Sequence, residues 1–106
     1  MTKLHTDRIE QLFRAICSIE NPEECFDFFE DLCTVKEIQD MAQRFETAIM
    51  LSEGKNYSEI GASLGVSSAT IVRVNRCLNY GTGGTARSLQ SWRTENGFFK
   101  PDYTKR

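Results

Sequence analysis

The sequence predicts an all-α fold, and three observations carry that expectation. Apolar residues return at intervals of three and four through most of the chain, the period of a helix with one buried face. Helix-start residues precede these stretches, as in Asn21-Pro22-Glu23-Glu24, Thr34-Val35-Lys36-Glu37 and Asn56 with Glu59. Residues 57–76, YSEIGASLGVSSATIVRVNR, then have the form of a helix-turn-helix: two short helices joined by about three or four residues, with the second free to enter a major groove. The 106 residues are read as one domain, since domains commonly run to about 100–150.

In chain order, Ile9, Leu12, Phe13, Ile16 and Cys17 mark an amphipathic helix over about 6–19, with Thr6 as its cap. A second helix starts at Asn21, where a capping amide, a proline at the first helical position and two carboxylates at the positive end of the dipole coincide. It continues to about Leu32 with Phe26, Phe28 and Phe29 on more than one face, more apolar surface than a short helix of a monomer needs, so a second subunit is expected to cover it. Thr34 and Glu37 form a capping box for the longest helix, which carries Ile38, Met41, Phe45 and Ile49, runs to Leu51 or Ser52 and stops at Gly54.

The helix-turn-helix follows. Asn56 and Glu59 cap its first helix. Gly61 and Ala62 supply the small residues expected at the close approach of the two helices. Gly65 is placed for a left-handed turn, and Ile60, Leu64, Val66, Ile71 and Val74 are spaced to fill the angle. Ser67 caps the second helix, expected to reach about Leu78. Its outward residues, Ser67, Ser68, Ala69, Thr70, Val72, Arg73 and Arg76, together with Ser58 at the start of the first helix, are the candidate DNA contacts: short polar groups and arginines suit phosphates and base edges. The glycines of residues 79–84 break the chain, Thr85 to about Trp92 reads as a last short helix, and residues 95–106, with Phe98, Phe99 and Tyr103, read as a partly ordered tail, the alternative being a strand or arm packed on the body or on DNA.

The net charge of −2 hides an asymmetry. Residues 1–53 hold five Lys/Arg against twelve Asp/Glu, net −7, and residues 54–106 hold eight against three, net +5. The basic half is the one with the helix-turn-helix, as a DNA partner would require. Cys17, Cys25, Cys33 and Cys77 lack any C-x-x-C spacing and His5 is the sole histidine, so no metal or cofactor is expected; three of the four cysteines fall on apolar stripes and read as reduced, buried thiols. No run approaches the roughly 20 apolar residues of a membrane span, and a soluble, cytoplasmic protein is expected. An enzyme is disfavoured: a lone histidine near a terminus offers no triad, and Glu23-Glu24 and Glu30-Asp31 are sequence neighbours that point to different helix faces. The remaining rival is a protein-interaction module, which would show large exposed anchors on the second helix rather than serines and arginines.

From about Thr34 to Asn79 the chain resembles the Trp repressor family, in particular its small helix-turn-helix relatives in Gram-positive bacteria. The resemblance rests on Thr34-Val-Lys-Glu-Ile38, Ala42-Gln43-Arg44, Ile60 through Gly65, and Ala69-Thr70-Ile71-x-Arg73. It implies an intertwined homodimer that presents two helix-turn-helix units to successive major grooves of a palindromic operator, as a repressor. It also implies an effector pocket for L-tryptophan or another small molecule, walled by Arg44 and Arg73 with Thr34 near the ligand's amino group. Two residues depart from the tryptophan-binding pattern: Val74 stands where such members have glycine, and Cys77 replaces a serine that contacts the ligand.

Overall fold

The computed structural model describes residues 6–95, with side chains as far as residue 91. Six helices follow one another: α1 (Asp7–Cys17), α2 (Pro22–Leu32), α3 (Val35–Ser52), α4 (Tyr57–Leu64), α5 (Ser68–Tyr80) and α6 (Gly84–Glu95), with no strand among the described residues. The fold class is thus all-α. His5 and the expected tail beyond Glu95, where α6 ends, lie outside the described residues. Two compact units divide between Ile38 and Gln39.

In the first unit each helix start is built from its neighbours in sequence. Thr6 Oγ1 accepts from the Ile9 N–H at 3.3 Å, and Asn21 Oδ1 from the Glu24 N–H at 2.9 Å, with Pro22 as the first helical residue. The Thr34–Glu37 box closes in both directions: the Glu37 N–H donates to Thr34 Oγ1 at 3.1 Å and the Thr34 N–H to Glu37 Oε1 at 2.8 Å. The Thr34 backbone N–H, and after it the hydroxyl, hold the Glu37 carboxyl below the usual carboxylate range, because a hydrogen bond to the charged form favours it. Neither α1 nor α2 has a buried residue. Phe28 and Phe29 meet edge to face with centroids 5.3 Å apart, while Phe13 (52%), Phe26 (66%) and Leu32 (59%) stand in solvent.

The second unit holds the core. Met50 of α3, Ile60 and Leu64 of α4, Val66 of the turn and Ile71 of α5 form one buried cluster. Ala48 and Ile49 of α3, Val74 of α5 and Leu89 of α6 form another, with Phe45 and Leu78 at its margin and Leu51 packed against both. The five residues expected to fill the helix-turn-helix angle are all buried. α3 closes with the Lys55 N–H donating to Met50 O and the Gly54 N–H to Leu51 O, the paired bonds of a Schellman ending.

Four sequence expectations need correction. Ala62 is exposed, so it does not mark a close approach. At Gly61 a Cβ would meet Val66 O at 3.7 Å, ordinary contact, and alanine would fit. α5 runs to Tyr80 rather than Leu78; at Gly81 the chain leaves the helix with φ −83°, ψ −159°, where a Cβ would lie 2.5 Å from Cys77 O, a contact that glycine avoids. Finally, the four cysteines are free, but Cys17 and Cys77 are exposed rather than buried.

Candidate nucleic-acid interface

The interface is built outward from the turn between α4 and α5. Asn56 and Glu59 satisfy each other's backbone N–H groups at 2.8 and 3.0 Å, which fixes the start of α4. At its end Gly65 adopts φ 69°, ψ 22°, the left-handed region that other residues reach only with strain. Val66 then drops into the core, and Ser67, extended at φ −74°, ψ 157°, caps α5 by accepting from the Thr70 N–H at 3.2 Å. The connection is therefore three residues long.

A further contact, which periodicity does not reveal, ties this turn to α3. Gln43 Nε2 donates to Leu64 O at 3.0 Å. The last carbonyls of a helix have no partner within it, and Gln43 supplies one at the point where the chain turns toward α5. One turn on, the fully buried Thr47 hydroxyl donates to Gln43 O at 2.7 Å, so neither polar group is stranded.

Burial divides α5 into two faces. Ile71 (1%) and Val74 (8%) point inward, with Leu78 half-buried behind them. Ser68, Ala69, Val72, Arg73 and Arg76 are exposed, and among the described residues neither arginine has an ion-pair partner. Of the other candidate contacts, Ser58 and Ser67 are exposed, whereas Thr70 is half-buried with its hydroxyl 3.1 Å from Ser67 Oγ. Ser67 and Thr70 thus shape the helix start, and the five residues from Ser68 to Arg76 are the ones turned to solvent.

The residues assigned to an effector pocket have different surroundings. Arg44, Arg73 and Cys77 are exposed, Thr34 caps α3, and Val74 packs with Ala48, Ile49 and Leu89. None of them lines the groove of about 610 Å³ that opens between α3, α5 and α6, whose walls include Leu51, Ser52, Asn75, Leu78, Asn79 and Leu89. Among the described residues no His, Cys, Asp and Glu side chains cluster as a metal site, and no helix is long and apolar enough to cross a membrane.

Residues 7–93 match the family model described as Trp repressor protein. The chain belongs to the Trp repressor family. Within it, the chain is 54% identical over 87 residues, 82% of its own length and 84% of the other's, to the uncharacterized protein YerC of Bacillus subtilis (strain 168). A TrpR-like protein from Eubacterium eligens ATCC 27750 superposes with a TM-score of 0.80 at 46% identity, over 93% of this chain and 98% of that one. A Trp repressor candidate from Staphylococcus aureus gives the same TM-score at 44% identity, over 84% and 89%. A Trp repressor family protein is a DNA-binding regulator in kind, from a family of regulators rather than enzymes, and the α4–turn–α5 unit is its helix-turn-helix.

Proposed function

We propose that this protein is a sequence-specific transcriptional repressor of the cytoplasm that grips a palindromic operator as a homodimer, one α5 in each of two major grooves. The observation that carries the reading is the division of α5: Ile71 and Val74 anchor it, while Ser68, Ala69, Val72, Arg73 and Arg76 are presented together. Homodimerisation is supported by α1 and α2, 11 residues each without one buried side chain and with Phe13 and Phe26 in solvent. A second copy is the partner that would cover them, and two-fold symmetry would then place two α5 helices on one duplex.

Arg44, Arg73, Thr34, Val74 and Cys77 remain the candidate effector residues, with Val74 as the one that decides. At 8% exposure, packed among Ala48, Ile49 and Leu89, it fills the space an indole ring would need, so operator binding is expected to be independent of L-tryptophan. Selection of bound duplexes from a random pool tests the main reading. A palindrome with half-sites about 10–10.5 base pairs apart, centre to centre, is the expected product; a pool that stays random after repeated rounds would refute sequence-specific binding.

A further inference from the structure

We propose that Val72, with Ala69, reads the C5-methyl group of a thymine in the operator half-site, an inference that rests on α5 being the DNA-reading helix. Three β-branched aliphatic residues fall within four positions of α5. Ile71 and Val74 are 1% and 8% exposed, but Val72 is 42% exposed, although a valine in solvent gains nothing from burial and is a poorer helix former than alanine or the straight-chain polar residues.

A single exposed valine is ordinary on most surfaces; its place is what makes it informative here. Residues 69, 72, 73 and 76 are spaced i, i+3, i+4, i+7 and share one stripe, all of it exposed. The stripe is apolar in its N-terminal half and cationic in its C-terminal half. In a helix-turn-helix the N-terminal residues of the second helix meet base edges, whereas arginines farther along are suited to phosphates.

Major-groove chemistry then selects the base. Guanine, cytosine and adenine present donors and acceptors there with no apolar group larger than a bare C–H, and thymine alone adds a methyl group, at its C5. Val72 and Ala69 can form no side-chain hydrogen bond. Setting them against a donor or acceptor would strip that group of water without replacing its partner, so a thymine is the base whose edge they complement.

The test uses duplexes enriched from the random pool, compared with the same duplexes in which each recurrent thymine is replaced in turn by deoxyuridine, which removes only the methyl group. Burial of one such group corresponds to about fourfold in affinity. The intact protein should therefore lose about fourfold on one uridine substitution and roughly fifteenfold when both half-sites carry it, the two acting independently. Val72→Ala, which alters a side chain outside the core, should keep or slightly raise its unfolding temperature, bind the thymine duplex more weakly, and distinguish thymine from uridine at that position less than the intact protein does. Equal affinity of the intact protein for every uridine duplex, or the same discrimination surviving in Val72→Ala, would overturn the assignment while leaving DNA reading by α5 intact. Failure of the pool to yield any enriched sequence would remove the premise and the assignment together.

Discussion

A single side chain, Gln43, joins the long helix to the turn that aims α5. Its amide N–H reaches Leu64 O across 21 residues of sequence at a partly buried site. Gln43→Met keeps the length and removes the donor, leaving the carbonyl without its partner, a loss of about 1–2 kcal/mol. For a domain of this size that amounts to a fall of roughly 4–12 °C in unfolding temperature, measurable by calorimetry; no change would mean that water replaces the amide at no cost. Arg73 and Arg76 call for a different measurement. If each meets a phosphate, each Arg→Ala change should lower affinity for all duplexes alike and flatten the salt dependence by about one unit for every phosphate no longer neutralised. If one instead reads a guanine, its removal relaxes the site at one position by about 1–3 kcal/mol. A double variant with unaltered binding would take α5 out of the interface. Glu37 adds a pH effect: because its folded carboxyl is held below the usual range, the help it gives α3 is complete above the unfolded carboxylate pKa and fades as pH falls through the lower, folded one. Glu37→Gln, which can still accept the Thr34 N–H, should lose that acid-range contribution, seen as a flatter dependence of unfolding temperature on pH.

At the scale of elements, what was legible in the sequence was what is decided locally. Helix starts depend on a side chain and a backbone N–H three residues apart, and Thr6, Asn21, Thr34, Asn56 and Ser67 all cap as their spacing suggests. The core of the helix-turn-helix was equally legible, since Ile60 and Leu64 of α4 and Ile71 and Val74 of α5 each recur at helical spacing, with Val66 between them in the turn. The Gln43–Leu64 bond was not, because a glutamine inside a helix reads as solvated until the distant carbonyl is placed beside it. Nor was the exposure of Cys77, since a stripe is apolar only where another element covers it. Val74 is where the element-scale argument predicts most. It is the inner wedge between α5, α3 and α6, so Val74→Gly should destabilise the domain by about 2–4 kcal/mol, from poorer packing, the cavity left behind and a mid-helix glycine. Operator affinity of the intact protein should not change when L-tryptophan is titrated in. A tenfold tightening, about 1.4 kcal/mol of coupling, would show that the space beside Val74 opens to an indole.

The whole molecule poses a problem of cover. The buried apolar residues of the described chain run from Ala48 to Leu89, all in the second unit, while α1 and α2 contribute none. Two short helices without burial are marginal in water, and the phenylalanines they expose mark a surface that needs a partner. Two copies would bring together halves that each carry −7, whereas the DNA-reading halves each carry +5 by sequence. The two associations should therefore respond differently to salt. Screening shortens the reach of like-charge repulsion from about 30 Å at 0.01 M to about 8 Å at 0.15 M, so added salt should leave dimerisation unchanged or tighten it, while operator binding weakens steeply through counterion return. Light scattering at micromolar concentration across that salt range reads the first, and duplex binding the second. Phe26→Asp separates the alternatives further. At 66% exposure it should cost an isolated monomer no more than about 0.5 kcal/mol, but in a dimer that buries the ring it would leave a carboxylate stranded in an apolar interface and drive the chains apart. A folded monomer of the unaltered chain, insensitive to this substitution, would mean that α1 and α2 stand without a partner.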